Sequence, residues 1–316
     1  MRHRKNRFWI KTGAVVVGLI SRTYVVYVLF GAIARLFGRV ESIHMTYPAE
    51  SRFREAYTFQ TPVLRRLYRA FDWTPSPIAL FWQGGALGVA LAVPSDEAAL
   101  FVRENEAKLR LLLRRLRLIQ RLVGASQVTL AGILPSLIAR NRIDTGGLVV
   151  ADPRPATRRA LLSAIDQVVE TDFNGKRPPI LLFGGAGYVG ADLKAALVAN
   201  GDALSIIDVK QGAESAETCL ARFRGQPVLL VDVARRGALA PQITRLWPEL
   251  VLLNETYPEP TGKMLMALHS RGVRVRHVAG VTGTIRPSLP GAYAGAVPCC
   301  AAHRIGETTR AVLIAL

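Results

Sequence analysis

The sequence predicts an α/β protein whose C-terminal part is a doubly wound parallel sheet. A mixed α+β domain and a basic, apolar N-terminal segment precede it. Three observations carry this reading. From residue 180 onward the apolar runs "ILLF", "ALSIID", "PVLLVD", "LVLLNE" and "VRVRHVAG" alternate with helical stretches at 189–199, 236–247 and 261–271. Such alternation specifies parallel strands joined by right-handed crossovers, because a buried strand needs a helix to carry the chain back to the same edge. Gly201 and Gly272 stand where helices have to stop. Finally, the first apolar run leads straight into "GGAGYVG" (184–190), four glycines in seven positions.

The earlier elements follow in order. The chain opens on "MRHRKNR", and from Gly13 to Phe37 the only charges are Arg22 and Arg35. That length would span a bilayer, yet an Arg near the middle costs roughly 2.5–3.5 kcal/mol. Three readings stand: a spanning helix with a tolerated Arg, an interfacial anchor on anionic lipid, or two buried elements of a soluble domain. No small-residue cleavage site follows, so a secretory signal is not indicated. The expected location is cytoplasmic, peripheral or anchored at the inner face of the membrane.

"ESIHMTYP" (41–48) and "IALFWQGGALGVALAVP" (78–94) read as strands, the second as a hairpin turning at Gly84-Gly85. Residues 96–123 form the longest helical pattern, with Asp96 and Glu97 at its start and Gly124 as its stop. Its basic face carries Lys108, Arg110, Arg114, Arg115, Arg117 and Arg121. A solvated face explains this run, with phosphate or nucleic-acid binding as the minority reading; no interleaved aromatics point to nucleic acid. "SQVTLAG" is a short strand, 155–173 an amphipathic helix, and "NGKRPP" (174–179) a breaker-rich joint. The expected organisation is therefore 1–40, an N-terminal membrane-leaning segment; 41–176, a mixed α/β substrate domain; and 177–316, a nucleotide-binding domain.

Composition narrows the function classes. Half of the 316 residues are hydrophobic, enough for substantial cores, and 41 Lys plus Arg against 23 Asp plus Glu leave a formal charge of +18. Three cysteines, Cys219, Cys299 and Cys300, make neither a disulfide framework nor a zinc-type spacing. No metal site is expected, and a reducing compartment fits.

Gly185-Ala186-Gly187-Tyr188-Val189-Gly190 satisfies G-x-G-x-x-G, between a strand and a helix, and Asp208 closes the next strand 18 residues after Gly190. In a Rossmann fold the first glycine permits the turn, the second admits pyrophosphate, and the third lets the helix pack against the strand. The helix N-terminus meets the phosphates, and Asp208 meets the ribose hydroxyls. The expected cofactor is thus NAD or NADP, with Asp208 favouring NAD and Lys210 pulling the other way. A bare turn and a methyltransferase loop are the alternatives. A nucleoside-triphosphatase loop is excluded, because no Gly-Lys-Ser/Thr follows.

Two resemblances bear on the chemistry. "GGAGYVG" with "DVARRGAL" (232–239) resembles extended short-chain dehydrogenases and nucleotide-sugar epimerases, which implies Asp232 beside the adenine. That family's Tyr-x-x-x-Lys pair is missing; Tyr257 and Lys263 are six apart. The order of features resembles long-chain acyl-carrier-protein reductases instead. "LVGASQVTLAGILPSLIARN" (122–141) follows a long helix, Thr145-Gly146 and a helix lead to the glycine loop, and Tyr257-Pro258 follows the fourth strand. The resemblance implies a nucleophilic Cys in Cys300-Ala301-Ala302-His303, where the family has Cys-Phe-Ala-Glu.

A thiolate at Cys300, with His303 three residues on and Cys299 as the rival nucleophile, would accept an acyl group from a thioester. Asn254, Glu255 and Tyr257, at the carboxyl end of the fourth strand, are expected substrate contacts. The sequence thus reads as an NAD(P)-dependent oxidoreductase reducing an acyl thioester to an aldehyde. A small-molecule or acyl-carrier substrate and an anionic membrane surface are its expected partners. The alternatives are a short-chain-dehydrogenase-like enzyme of another carbonyl or sugar substrate, and a non-catalytic NAD(P)-binding protein.

Overall fold

The computed structural model describes residue 20 and residues 23–54, 72–209, 214–293, 295–306 and 309–316. The chain forms two compact units. The first holds the chain up to Pro153 together with Gly283–Pro290 and Cys300–Arg304; the second holds Arg154–Thr282, Gly291–Cys299 and Ile305–Leu316. The elements of the N-terminal part are α1 (Val25–Phe37), β1 (Val40–Thr46), β2 (Ser76–Gln83), β3 (Ala86–Ala92), α2 (Glu97–Phe101), α3 (Glu106–Val123), β4 (Gln127–Leu130) and α4 (Leu134–Arg140). There follow α5 (Arg154–Asp172), β5 (Ile180–Phe183), α6 (Tyr188–Ala199), β6 (Leu204–Ile207), α7 (Ala216–Arg222) and β7 (Val228–Asp232). The chain ends with β8 (Leu250–Asn254), α8 (Gly262–Ser270), β9 (Arg274–Val281), β10 (Thr284–Arg286) and β11 (Ala311–Ala315).

In the first unit the strand order is β10-β2-β3-β1-β4, with β1 parallel to β3 and β4, and β2 antiparallel to β3 and β10. The β2–β3 hairpin turns on Gly84 (φ 60°) and Gly85 (φ 78°), the left-handed pair that a type I′ turn demands. The helix expected over 96–123 is two. Val102 is extended (ψ 118°), so α2 stops there, and a 3₁₀ turn at Arg103–Asn105 re-enters as α3. Leu109, Leu112, Leu113, Leu116, Ile119 and Val123 line the buried face of α3.

Of the apolar segment 13–37, the described part contains α1, 13 residues long. That is about 20 Å of helix, short of the ~30 Å hydrocarbon layer. Among the described residues no helix is long and apolar enough to cross a membrane. Tyr27 and Ala34 are buried, and a Cβ at Gly31 would stand 2.2 Å from the Leu122 carbonyl oxygen of α3, so glycine is what lets the two backbones meet. The opposite face is exposed and apolar: Val25, Val28, Leu29, Ile33 and Leu36, the last at 80 %.

The second unit has the strand order β11-β9-β8-β7-β5-β6, all parallel except β11, which runs against β9. Successive residues of each strand face opposite sides. Ile180 and Leu182 meet Leu161, Ile165 and Val168 of α5 and Leu193 and Leu197 of α6, whereas Leu181 and Phe183 join Cys219, Leu220, Ile243 and Leu268. Helices therefore cover both faces, which is the doubly wound architecture. The apolar face of α5 belongs to this core, so the first unit's N-terminal run ends at Pro153 rather than at the joint read at 174–179. The helix expected at 236–247 is only a 3₁₀ stretch, Ala240–Arg245. Gly237 (φ 82°) breaks the expected helix before it, and Pro248 ends the run after it.

Candidate functional site

Strand order reverses between β5 and β7, which places a crevice at their carboxyl ends, where doubly wound sheets take ligands. The glycine turn sits there, and its glycines do different things. Gly184 is left-handed (φ 88°), donates its N–H to the Ile207 carbonyl at 2.8 Å, and would place a Cβ 2.6 Å from Cα of Ala234. At Gly185 a Cβ would stand 2.8 Å from the Ile206 side chain, and at Gly190 2.1 Å from the Gly184 carbonyl oxygen. These three are glycine because the chain itself closes on them. Gly187 differs: it is extended (φ −73°, ψ 177°), and an added Cβ would meet only the Gly184 carbonyl oxygen, at 3.1 Å.

Gly187 is also the N-cap of α6 and offers no capping side chain. The first N–H groups of a helix, here beginning with Tyr188, Val189 and Gly190, have no acceptor inside it, and the dipole adds positive potential. Tyr188 is exposed and carries the Arg154 guanidinium 4.8 Å above its ring, while Val189 packs into the core beneath. At the end of β6 the Asp208 carboxylate accepts the Ala186 N–H at 2.9 Å, so it stands at the turn it is expected to serve. Lys210 lies outside the described residues.

A second group of polar side chains occupies the ends of β7 and β8. Asp232 is 4 % exposed and accepts the Ala234 N–H at 3.0 Å; burial nevertheless pushes its carboxyl up to about 7. Glu255, whose N–H bonds the Asp232 carbonyl, is held well above the ordinary carboxylate range by burial, with Cys299 and Asp232 adding to the shift. The Cys299 thiol donates to Glu255 Oε1 at 3.6 Å. Asn254 is buried; its amide donates to the Thr256 carbonyl and lies 2.9 Å from Nδ1 of His277. Burial lowers the His277 pKa against the pull of Glu259. Tyr257 stacks against Tyr293, ring centres 4.8 Å apart.

Cys299 and Cys300 are neighbours in one 3₁₀ turn but serve different units. Cys299 turns to Glu255, and Cys300 packs, half-buried, against the first unit's core. His303 does not hydrogen-bond Cys300. Its Nδ1 pairs with Ser42 Oγ at 3.1 Å, its ring leans on Phe81, and burial lowers its pKa against the opposing field of Glu41. Glu255, directly after the "LLN" of β8, is visible in the sequence as an acid at a strand end, but nothing local marks it as buried. Glu259, whose Oε2 is buried without a hydrogen-bond partner among the described residues, carries no sequence signal at all.

No family model matches this chain, and no curated protein matches it. Solved structures similar to it include three dehydrogenases. Quinate dehydrogenase from Corynebacterium glutamicum, in complex with NAD, is 12% identical with a TM-score of 0.39, over 75% of this chain and 88% of that one. L-Tryptophan dehydrogenase from Nostoc punctiforme is 17% identical with a TM-score of 0.37, over 75% and 70%. The NAD-complexed D-isomer specific 2-hydroxyacid dehydrogenase from Lactobacillus delbrueckii ssp. bulgaricus is 12% identical with a TM-score of 0.28, over 76% and 80%. Scores this low establish no kinship; the doubly wound fold rests on the strand order of the chain itself.

Proposed function

We propose that the second unit binds NAD(P) and that the protein is an NAD(P)-dependent oxidoreductase acting on a carbonyl substrate. The observation that carries this is the turn at the switch point: three glycines are consumed by the chain's own packing, and a fourth, Gly187, opens the N-terminus of α6 to a ligand. Gly184–Gly190 would hold the pyrophosphate, Asp208 a ribose, and Asp232 the adenine side of the crevice. The cofactor supplies hydride chemistry when bound. The chain's own contribution is proton handling, since burial raises the Glu255 carboxyl well above the ordinary range beside Cys299 and lowers the pKa of His277. Asn254 and Tyr257 would contact substrate at the same strand end.

Within that class, acyl-thioester reduction assigns the nucleophile to Cys300. The Cys299 thiol is engaged by Glu255, whereas Cys300 has no hydrogen-bond partner among the described residues. The Cys300 sulfur would take the acyl group and release the carrier as its thiol. A titration tests the first claim: NADH is expected to bind more tightly than NADPH, because the Asp208 carboxylate repels a 2′-phosphate, and Asp208→Asn should narrow the ratio. Absence of binding by either nucleotide would remove the enzyme reading. Cys300→Ala should then abolish acyl-thioester reduction with NADH affinity unchanged, and activity surviving that change ends the covalent route.

The apolar outer face of α1, together with the basic start of the chain, supports attachment to an anionic membrane surface. Co-sedimentation with phosphatidylglycerol vesicles is expected at low salt, and Leu29→Glu with Leu36→Glu should weaken it at least about tenfold, given roughly 1.5–3 kcal/mol per buried leucine. Equal sedimentation of the double variant would place the attachment elsewhere.

A further inference from the structure

The first unit carries a cleft of about 110 Å³ between α3 and the turn that follows α4, lined by Arg110, Leu113, Arg114, Arg117, Asp144, Thr145 and Gly146. One water needs only about 10–15 Å³, so the cleft takes a larger group. Three of its lining residues are guanidinium groups at positions i, i+4 and i+7 of one helix, a spacing that stacks like charges on one face and weakens the helix unless something neutralises them. Arg110 is answered by Glu106 at 2.7 Å. Arg114 and Arg117 have no ion-pair or hydrogen-bond partner among the described residues, and Nε of Arg117 is buried without one. Asp144, the only carboxylate in the lining, uses Oδ1 to accept the Gly146 N–H at 2.8 Å.

The turn is shaped to this guanidinium. Gly146 (φ 61°) and Gly147 (φ 79°) are both left-handed, and a Cβ on Gly147 would stand 3.3 Å from Nη2 of Arg117. The head group therefore lies against the turn, where side chains at these two positions would meet it, and its donors stay unused. Planar guanidinium donors beside a second unpaired arginine match the oxygens of a phosphate group better than a single point charge could. Solvation of a basic face explains the exposed Arg121 further along α3, but not a buried and unpartnered Nε.

We propose that this cleft binds a phosphate group, with Arg114 and Arg117 as its ligands and Arg110 contributing charge. The group is that of a soluble phosphate monoester or of a phospholipid headgroup, which share this chemistry. The site is independent of the dinucleotide reading, since every residue in it belongs to the first unit.

The test uses the full chain, labelled with nitrogen-15 so that arginine Nε–H signals are resolved. Titration with inorganic phosphate, and separately with glycerol 3-phosphate, should shift the Arg117 Nε–H resonance saturably at low salt. Because the readout is on Arg117, phosphate taken up by the glycine loop does not register. Arg114→Gln, at an exposed position that does not endanger folding, should weaken the affinity by about tenfold, the size of one charge-assisted contact. Arg117→Lys should lose most of it, and Arg121→Gln should lose none. Phosphatidic acid vesicles form the second arm: an Arg117 shift with vesicles and none with the soluble esters assigns the site to a lipid headgroup. No saturable shift with any probe, or affinity unchanged in Arg114→Gln, overturns the proposal.

Discussion

Gly187→Ala should leave stability nearly unchanged and cost the protein most of its affinity for NADH, while Gly190→Ala should cost it stability. The two substitutions add the same methyl three residues apart, so the contrast isolates what each glycine is for. At Gly190 the methyl would lie 2.1 Å from the Gly184 carbonyl oxygen and 2.8 Å from Cα of Gly185, both backbone atoms that cannot turn aside. Overpacking against rigid neighbours typically costs about 1–3 kcal/mol, and here the upper end, roughly 3 kcal/mol, is expected. At Gly187 the backbone is extended, a region open to alanine, and the single contact is 3.1 Å, so stability should change by less than about 1 kcal/mol.

The same methyl stands at the mouth of the α6 N-terminus, where pyrophosphate has to approach the backbone. A loss of about 10–100-fold in NADH affinity follows, or about 1.4–2.7 kcal/mol. Thermal unfolding and a fluorescence titration read the two quantities separately. Wild-type affinity in Gly187→Ala would refute the cradle, whatever the stability data show.

Asp232→Asn is expected to make the protein more stable at alkaline pH and nearly indifferent at acidic pH. Burial raises the Asp232 carboxyl from 3.8 to about 7, so the folded chain holds a proton that the unfolded chain gives up. Stability is then unaffected below the unfolded pKa, falls as pH rises between about 4 and about 7, and stays low above that. Ionising a carboxyl held so far above its ordinary value leaves a deficit on the order of 4 kcal/mol. Glu255 moves in the same direction and is coupled to Asp232, so part of the slope belongs to the pair.

Asparagine keeps an oxygen to accept the Ala234 N–H and has no charge to desolvate. Urea midpoints near pH 5 and pH 8 decide the matter: the wild type should lose stability across that interval and the variant should lose much less. Parallel curves for the two proteins would show that Asp232 is not the titrating group.

Local order determined much of this protein. Alternating apolar runs dictated the parallel strands because a fully buried strand must be apolar on both faces, and β5, β7 and β8 are. The Gly84-Gly85 hairpin and the strand–glycine–helix turn were legible for a related reason: left-handed φ values and missing Cβ atoms are written in single residues. Asp208 was readable from its distance along the chain.

What only tertiary structure decided involves residues far apart, whose encounter no local pattern encodes. Helix α5 joined the second unit because its apolar face found β5, β8 and β11, an allegiance that amphipathicity does not specify. His303, read as a partner for Cys300, paired instead with Ser42, 261 positions away. Adjacent cysteines took separate neighbours, because a 3₁₀ turn points consecutive side chains in different directions. The raised acids Asp232 and Glu255 owe their character to desolvation, and the Nε of Arg117 its isolation to burial, both of which depend on everything packed around a group and not on the residues beside it in the chain.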